Sequence, residues 1–191
     1  MRTIQKLIEE NNKNKVNKWI GSRFRGIEDL TCDETGSLGE DFLADICSRV
    51  GLNVVYNRNK ISEDGTYDIL IEDFKVEVKT AREGKKKNYQ HENLRQDEDC
   101  DLYMFVDLNP ESIFLTIIPK WDMSKNHPIF NKKAHLRRNS NNQRKFDFST
   151  RSIRLGIEAG VTFKHDTLDE SQLEDFIKSR IYSFAKVAGR V

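Results

Sequence analysis

Apolar residues recur along this chain at two spacings, and the switch between them marks where helices give way to strands. Residues 3–20 set Ile4, Leu7, Ile8, Trp19 and Ile20 around a polar middle and predict one interrupted helix or two short ones. Residues 21–36 read as a loop. Ser37-Leu38-Gly39-Glu40 has the form of a capping box. Leu38, Phe42, Ile46 and Val50 then give the apolar stripe of a helix that Gly51 ends. Beyond Gly51 the period falls to two. Strands are expected over residues 53–56, 67–71 and 75–80, with turns at Asp64-Gly65 and Glu72-Asp73. A helix is expected over 89–96. Residues 102–108 form a near-continuous apolar run, as in a strand buried on both faces, and another strand is expected over 112–118. Residues 120–149 are polar and irregular, with a candidate strand at 145–148. From 167 to 188, apolar residues such as Leu173, Ile177, Ile181 and Phe184 recur at helical steps.

This order predicts an α/β fold, a sheet flanked by helices with an added C-terminal helix. The 191 residues suit a single domain, 1–191, that needs no disulfides to bury a core. No apolar run approaches the roughly 20 residues of a membrane span. The N-terminus lacks the apolar stretch of a signal peptide, so the expected compartment is the cytoplasm. Three cysteines, Cys32, Cys47 and Cys100, form no CxxC pair and are expected to be reduced thiols. The histidines, at 91, 127, 135 and 165, fit no metal-ligand spacing and are expected at the surface.

Net charge is only +1, which argues against a uniformly basic nucleic-acid coat protein. The distribution is uneven. Residues 131–145 hold six cations (Lys132, Lys133, Arg137, Arg138, Arg144, Lys145) and no acid. Residues 92–101 hold five acids and one arginine. The basic stretch interleaves Asn and Gln, the residue types that contact phosphates and bases, and is expected to bind a polyanion. Lys85, Lys86 and Lys87 form a second candidate phosphate clamp.

Candidate chemistry centres on Asp68 and Glu77-Val78-Lys79. Side chains alternate along a strand, so Glu77 and Lys79 share one face while Val76 and Val78 take the other. A short turn would bring Asp68 back beside Glu77. Two adjacent carboxylates repel unless a cation lies between them, and Mg²⁺ favours such hard oxygen donors. A lysine two residues on can hold a water or neutralise a phosphate. The plain alternatives are the solvated face of an edge strand for Glu77 and Lys79, a cap for Glu40 and an ordinary helix polar residue for Gln90.

This arrangement resembles the PD-(D/E)xK nuclease superfamily, which includes many restriction endonucleases and Holliday-junction resolvases. The motif's Asp is matched by Asp68, though Tyr67 stands where the literal Pro would be, and its Glu-x-Lys by Glu77-Val78-Lys79. An early-helix Glu is matched by Glu40, and a Gln after the lysine loosely by Gln90. The resemblance covers about residues 37–120 and implies a restriction-endonuclease-like core. In that core a mixed sheet of about four to five strands is flanked by helices, and residues 121–191 are an elaboration for specificity or dimerisation. It implies Mg²⁺, with Mn²⁺ able to substitute, held by Asp68, Glu77 and the Val78 carbonyl. The expected activity is hydrolysis of double-stranded DNA by a site-specific, restriction-type homodimer. A structure-specific nuclease, a toxin nuclease and a non-catalytic DNA-binding module are the alternatives.

Overall fold

The computed structural model describes residues 17–57, 67–138, 140, 142–167 and 169–189. Most of the predicted N-terminal helix and the Asp64-Gly65 turn lie outside these residues. Residues 17–20 form turns.

Helix α1 (Cys32–Arg49) starts five residues before the predicted Ser37. Its cap is Thr31, whose side chain accepts from Glu34 N, and the Glu34 carboxylate returns to Thr31 N. Thr31 and Glu34 have the same capping-box spacing as Ser37 and Glu40, and they win because the helix runs straight through Gly36 and Gly39. The buried stripe is accordingly Thr35, Gly39, Leu43, Ile46 and Cys47, while Leu38 is exposed. Glu40 is therefore a mid-helix residue, not a cap.

Strands β1 (Val54–Val55), β2 (Ile69–Ile71) and β3 (Phe74–Arg82) follow. Glu72 and Asp73 make the β2–β3 turn, both at positive φ (47° and 63°), as the tight turn joining Ile71 to its partner Phe74 requires. The expected helix at 89–96 is absent. Its place is taken by extended chain with two short strands, β4 (Asn88–Tyr89) and β5 (Leu94–Arg95). The alternation of buried Tyr89, His91 and Leu94 with exposed Gln90 and Asn93 suits that extended path better than a helix. Strands β6 (Leu102–Leu108) and β7 (Ile113–Pro119) form as expected, and every residue of β6 is buried.

The polar region beyond β7 contains more structure than its pattern suggests. It holds β8 (His135–Leu136), β9 (Gln143–Lys145), β10 (Phe148–Ser149), helix α2 (Thr150–Glu158) and β11 (Thr162–His165). The last helix, α3, is Ser171–Val187. The main sheet has six strands rather than four or five, in the order β1-β2-β3-β6-β7-β11. The β3–β6 pair is parallel and all others are antiparallel, so the sheet is mixed. Strand β11 is the addition: it pairs with β7 from far along the chain, which local periodicity cannot reveal.

Helices α1 and α3 cover one face of this sheet. Leu43, Ile46, Leu173 and Ile177 pack there on Val76, Val78, Met104 and Val106. The other face carries an aromatic layer, with Tyr103 and Phe105 against Phe146 and Phe148, and α2 adds Ile153. Two smaller sheets, β4–β10 and β5–β9–β8, lie on that side of the chain's path. Trp19 is buried and Trp121 packs edge-on against Tyr103, so both serve the core. The three cysteines are unpaired, with Cys47 and Cys100 buried. Among the described residues no helix is long and apolar enough to cross a membrane.

Candidate active site

The β2–β3 hairpin sets Asp68 beside the middle of β3. Asp68 N donates to Val76 O (2.9 Å), and Asp68 Oδ2 accepts from Val78 N (2.7 Å). The carboxylate thus takes the ladder position that a backbone carbonyl would occupy. Glu77 and Lys79 share the aromatic face of β3, aligned in register with Tyr103 and Phe105 of β6. Strand β3 lies inside the sheet, between β2 and β6, so the edge-strand alternative does not hold. Glu77 is 7% exposed and Lys79 is largely buried. Lys79 Nζ donates to Glu77 Oε1.

Burial pushes the Glu77 carboxyl up to about 7. Lys79 pulls it down, while Asp68 and Glu98 push it further up. Burial by itself would lower Lys79, but Glu77, Asp68 and Glu98 outweigh it and hold the ammonium above its ordinary value. Glu98 was not foreseen. Its Oε2 accepts from Tyr103 Oη at 2.7 Å, the tyrosine that pairs across from Glu77. It sits among the five acids of residues 92–101, and nothing in that run distinguishes it.

A cleft of about 780 Å³ opens beside this stretch of β3. Its walls are the first turns of α1 with Glu40, the hairpin with Asp68, β3 from Val78 to Arg82, and the extended segment with Gln90, Glu92 and Asn93. Glu40, Asp68, Lys79 and Gln90 therefore meet in one cavity, although Gln90 reaches it from extended chain and not from a helix. Glu77 lies beneath, joined to the cleft through Lys79. Gly39 makes this approach possible: a Cβ there would fall 1.8 Å from Thr80 Oγ1. The small residue lets α1 rest directly on β3, which brings the neighbouring Glu40 to the cleft.

Histidine placement departs from expectation, since His91, His127 and His165 are buried and only His135 is exposed. His91 Nε2 lies 2.9 Å from Asp107 Oδ1, with both side chains fully buried, and His91 itself belongs to the cleft lining. Burial raises the Asp107 carboxyl, against the pull of His91 and Lys132. A lone acid within the apolar run Leu102–Leu108 was the available signal for that pair.

The expected cations divide into two groups. Lys85, Lys86 and Lys87 form an exposed turn just beyond Gly84 of the cleft wall, and Lys133 and Arg138 are exposed too. Lys132 is instead packed over Phe146 and Phe148 with Nζ 3.2 Å from Ser152 Oγ, and burial lowers it to about 8. Arg137 and Lys145 are ion-paired with Glu92 at 3.1 and 3.6 Å, and Arg144 is half-buried. The acidic and basic runs seen in the sequence are therefore folded against one another.

No protein-family model matches the chain, and no curated protein matches it. Among solved structures, a bacterial homing endonuclease is similar to it at 16% identity, over 47% of this chain and 70% of that one, with a TM-score of 0.38. That likeness is too slight to assign a fold by.

Proposed function

We propose that this chain is a metal-dependent DNA endonuclease of the PD-(D/E)xK type, acting by hydrolysis of phosphodiester bonds. The observation that carries this reading is the meeting of Glu40, Asp68, Lys79 and Gln90, from four separate segments, in one cleft above Glu77.

The donor set fits Mg²⁺. Asp68 and Glu77 are hard-oxygen ligands close enough for the Asp68 charge to raise the Glu77 carboxyl. Among the described residues no three acidic, histidine or cysteine side chains converge on one point. Two carboxylates, the Val78 carbonyl and several waters are nevertheless a normal shell for Mg²⁺. Mn²⁺ is expected to substitute. The bound ion would supply charge for the scissile phosphate and lower the pKa of its water. The remaining roles belong to the chain. Lys79 holds the attacking water or neutralises a phosphate oxygen. Glu40 holds an outer water, and Gln90 donates to the substrate backbone. Lys85–Lys87 and the exposed Lys133 and Arg138 bind flanking phosphates. A restriction-type homodimer cutting both strands remains the preferred form, since one cleft per chain serves one strand.

Plasmid DNA incubated with and without Mg²⁺ tests the reading, using Asp68→Asn as the comparison. The Asn Oδ1 can still accept from Val78 N, which keeps that contact with β3, and a thermal melt of both proteins checks that the variant is folded. It should nevertheless lose cleavage by about 10²-fold or more, since losing a ligand should cost at least as much as losing one of the outer partners that orient ligands. Metal-dependent nicking that survives in Asp68→Asn would overturn the site. No cutting by the parent under any divalent ion would leave the non-catalytic binding module as the better account.

A further inference from the structure

The ribbon β8–β9 hangs from the cleft wall. Arg137 reaches Glu92 and Asn93, both of which line the cleft, and β9 pairs with β5 through Leu94↔Arg144 and Arg95↔Gln143. Alternation and register place His135, Gln143 and Lys145 on one face of the ribbon and Leu136 with Arg144 on the other. Several of its charges are already engaged within the protein: Arg137 and Lys145 by Glu92, and Arg144 by burial. The outward groups are His135, Gln143, Arg138 and Leu136, the last 53% exposed.

We propose that this ribbon is the element that reads base sequence in duplex DNA, with Gln143 and Arg138 as the readers; the proposal rests on the nuclease reading above. Gln143 and Arg138 stand on the exposed part of the three-stranded sheet β5–β9–β8, which can lie against the major groove, about 12 Å wide. There Gln pairs with adenine and Arg with guanine, each through two hydrogen bonds, and an apolar side chain meets the thymine methyl. The ribbon carries the first two in Gln143 and Arg138, while Leu136 lies on its opposite face. The exposed lysine turn lies at the other end of the same wall. From Lys87 to Asn93 the chain spans at most about 20 Å even when fully extended. The lysines can therefore rest on the phosphates bordering the groove that the ribbon enters. A duplex suits this surface better than a single strand, whose bases would need aromatic platforms. The nearby rings, Phe105, Phe146 and Phe148, are turned into the core.

The test is selection from a pool of random duplexes in Ca²⁺, to suppress cutting, with the full chain and with Arg138→Ala/Gln143→Ala. Both side chains are exposed, and Gln143→Thr provides a second variant that keeps strand propensity. The parent should select a defined sequence. In the variants the ratio of affinities for selected and random duplexes should fall about tenfold, with the preference relaxed at particular base pairs. Variants that select the parent's sequence with an unchanged ratio would overturn the ribbon as reader. Such a result would leave the nuclease reading intact if Mg²⁺-dependent plasmid cutting persists in the parent. A parent that cuts with Mg²⁺ but selects no sequence would also overturn it. A parent that neither binds nor cuts duplex DNA would overturn both.

Discussion

Lys79 and Glu77 show what burial does to an acid paired with a lysine. Each satisfies the other, so neither can be removed without consequence for the fold. Lys79→Ala leaves the Glu77 carboxylate without its cation in a buried place, which costs about 3 kcal/mol when the carboxyl is charged. The cost depends on pH. Glu77 stands at about 7 in the fold against 4.5 in the unfolded chain. Between those values the folded state holds a proton that the unfolded chain has lost, so stability falls as pH rises through this window. Removing Lys79 lifts the carboxyl further and extends the loss upward. In metal-free buffer, Lys79→Ala should melt close to the parent near about pH 5 and well below it near about pH 8. Lys79→Ala/Glu77→Gln should recover stability but not cleavage. A pH-independent deficit would show that Lys79 acts on the fold by packing alone.

At the level of elements, the contact between α1 and β3 decides whether Glu40 reaches the cleft. A helical Gly→Ala exchange ordinarily gains about 0.5–1 kcal/mol. At Gly39 the new methyl would fall 1.8 Å from Thr80 Oγ1, and the two backbones cannot separate without moving Glu40. Gly39→Ala should therefore destabilise by about 1–3 kcal/mol, as overpacking does, and reduce cleavage. Thr80→Ala removes the nearest atom but leaves Cβ 2.9 Å away, so the double variant should recover only part of both losses. Thermal melts and cleavage rates of the four proteins check this. A Gly39→Ala variant as stable as the parent would mean that the helix seats differently.

Across the whole molecule, a net charge of +1 conceals a basic surface held in check by its own acids. Glu92 is the hinge of that arrangement, bridging Arg137 and Lys145 at the cleft wall. All three side chains are part-exposed, and such surface pairs contribute only about 0–1 kcal/mol. Phosphate can compete for the two cations. Glu92→Gln should leave the melting temperature nearly unchanged and tighten binding to random duplex. Its affinity should also fall more steeply with salt, by about one unit of slope for each additional phosphate that a freed cation neutralises. An unaltered salt slope would place Arg137 away from the DNA path; Lys145 keeps Asp147, 3.4 Å away, as a second partner.

Local pattern alone determined the hairpin Ile69–Ile71 to Phe74–Arg82, the doubly buried strand Leu102–Leu108 and the C-terminal helix, because alternation and helical steps are short-range properties of the chain. It also marked Asp68, Glu77 and Lys79 through spacing, while Glu40 entered as a site residue only through the family resemblance. What it could not decide was anything set by residues far apart. Two capping boxes compete within ten residues, and the path through Gly36 and Gly39 chooses between them. Segment 88–95 becomes extended because β10 and β9 pair with it. Strand β11 joins the sheet only because β7 offers it an edge. The basic stretch loses Lys132 to an aromatic pocket, and Arg137 and Lys145 to an acid some fifty residues earlier in the chain. Charge composition is local, but the partner that neutralises a charge is chosen by tertiary packing, and that packing decides which cations are left facing outward.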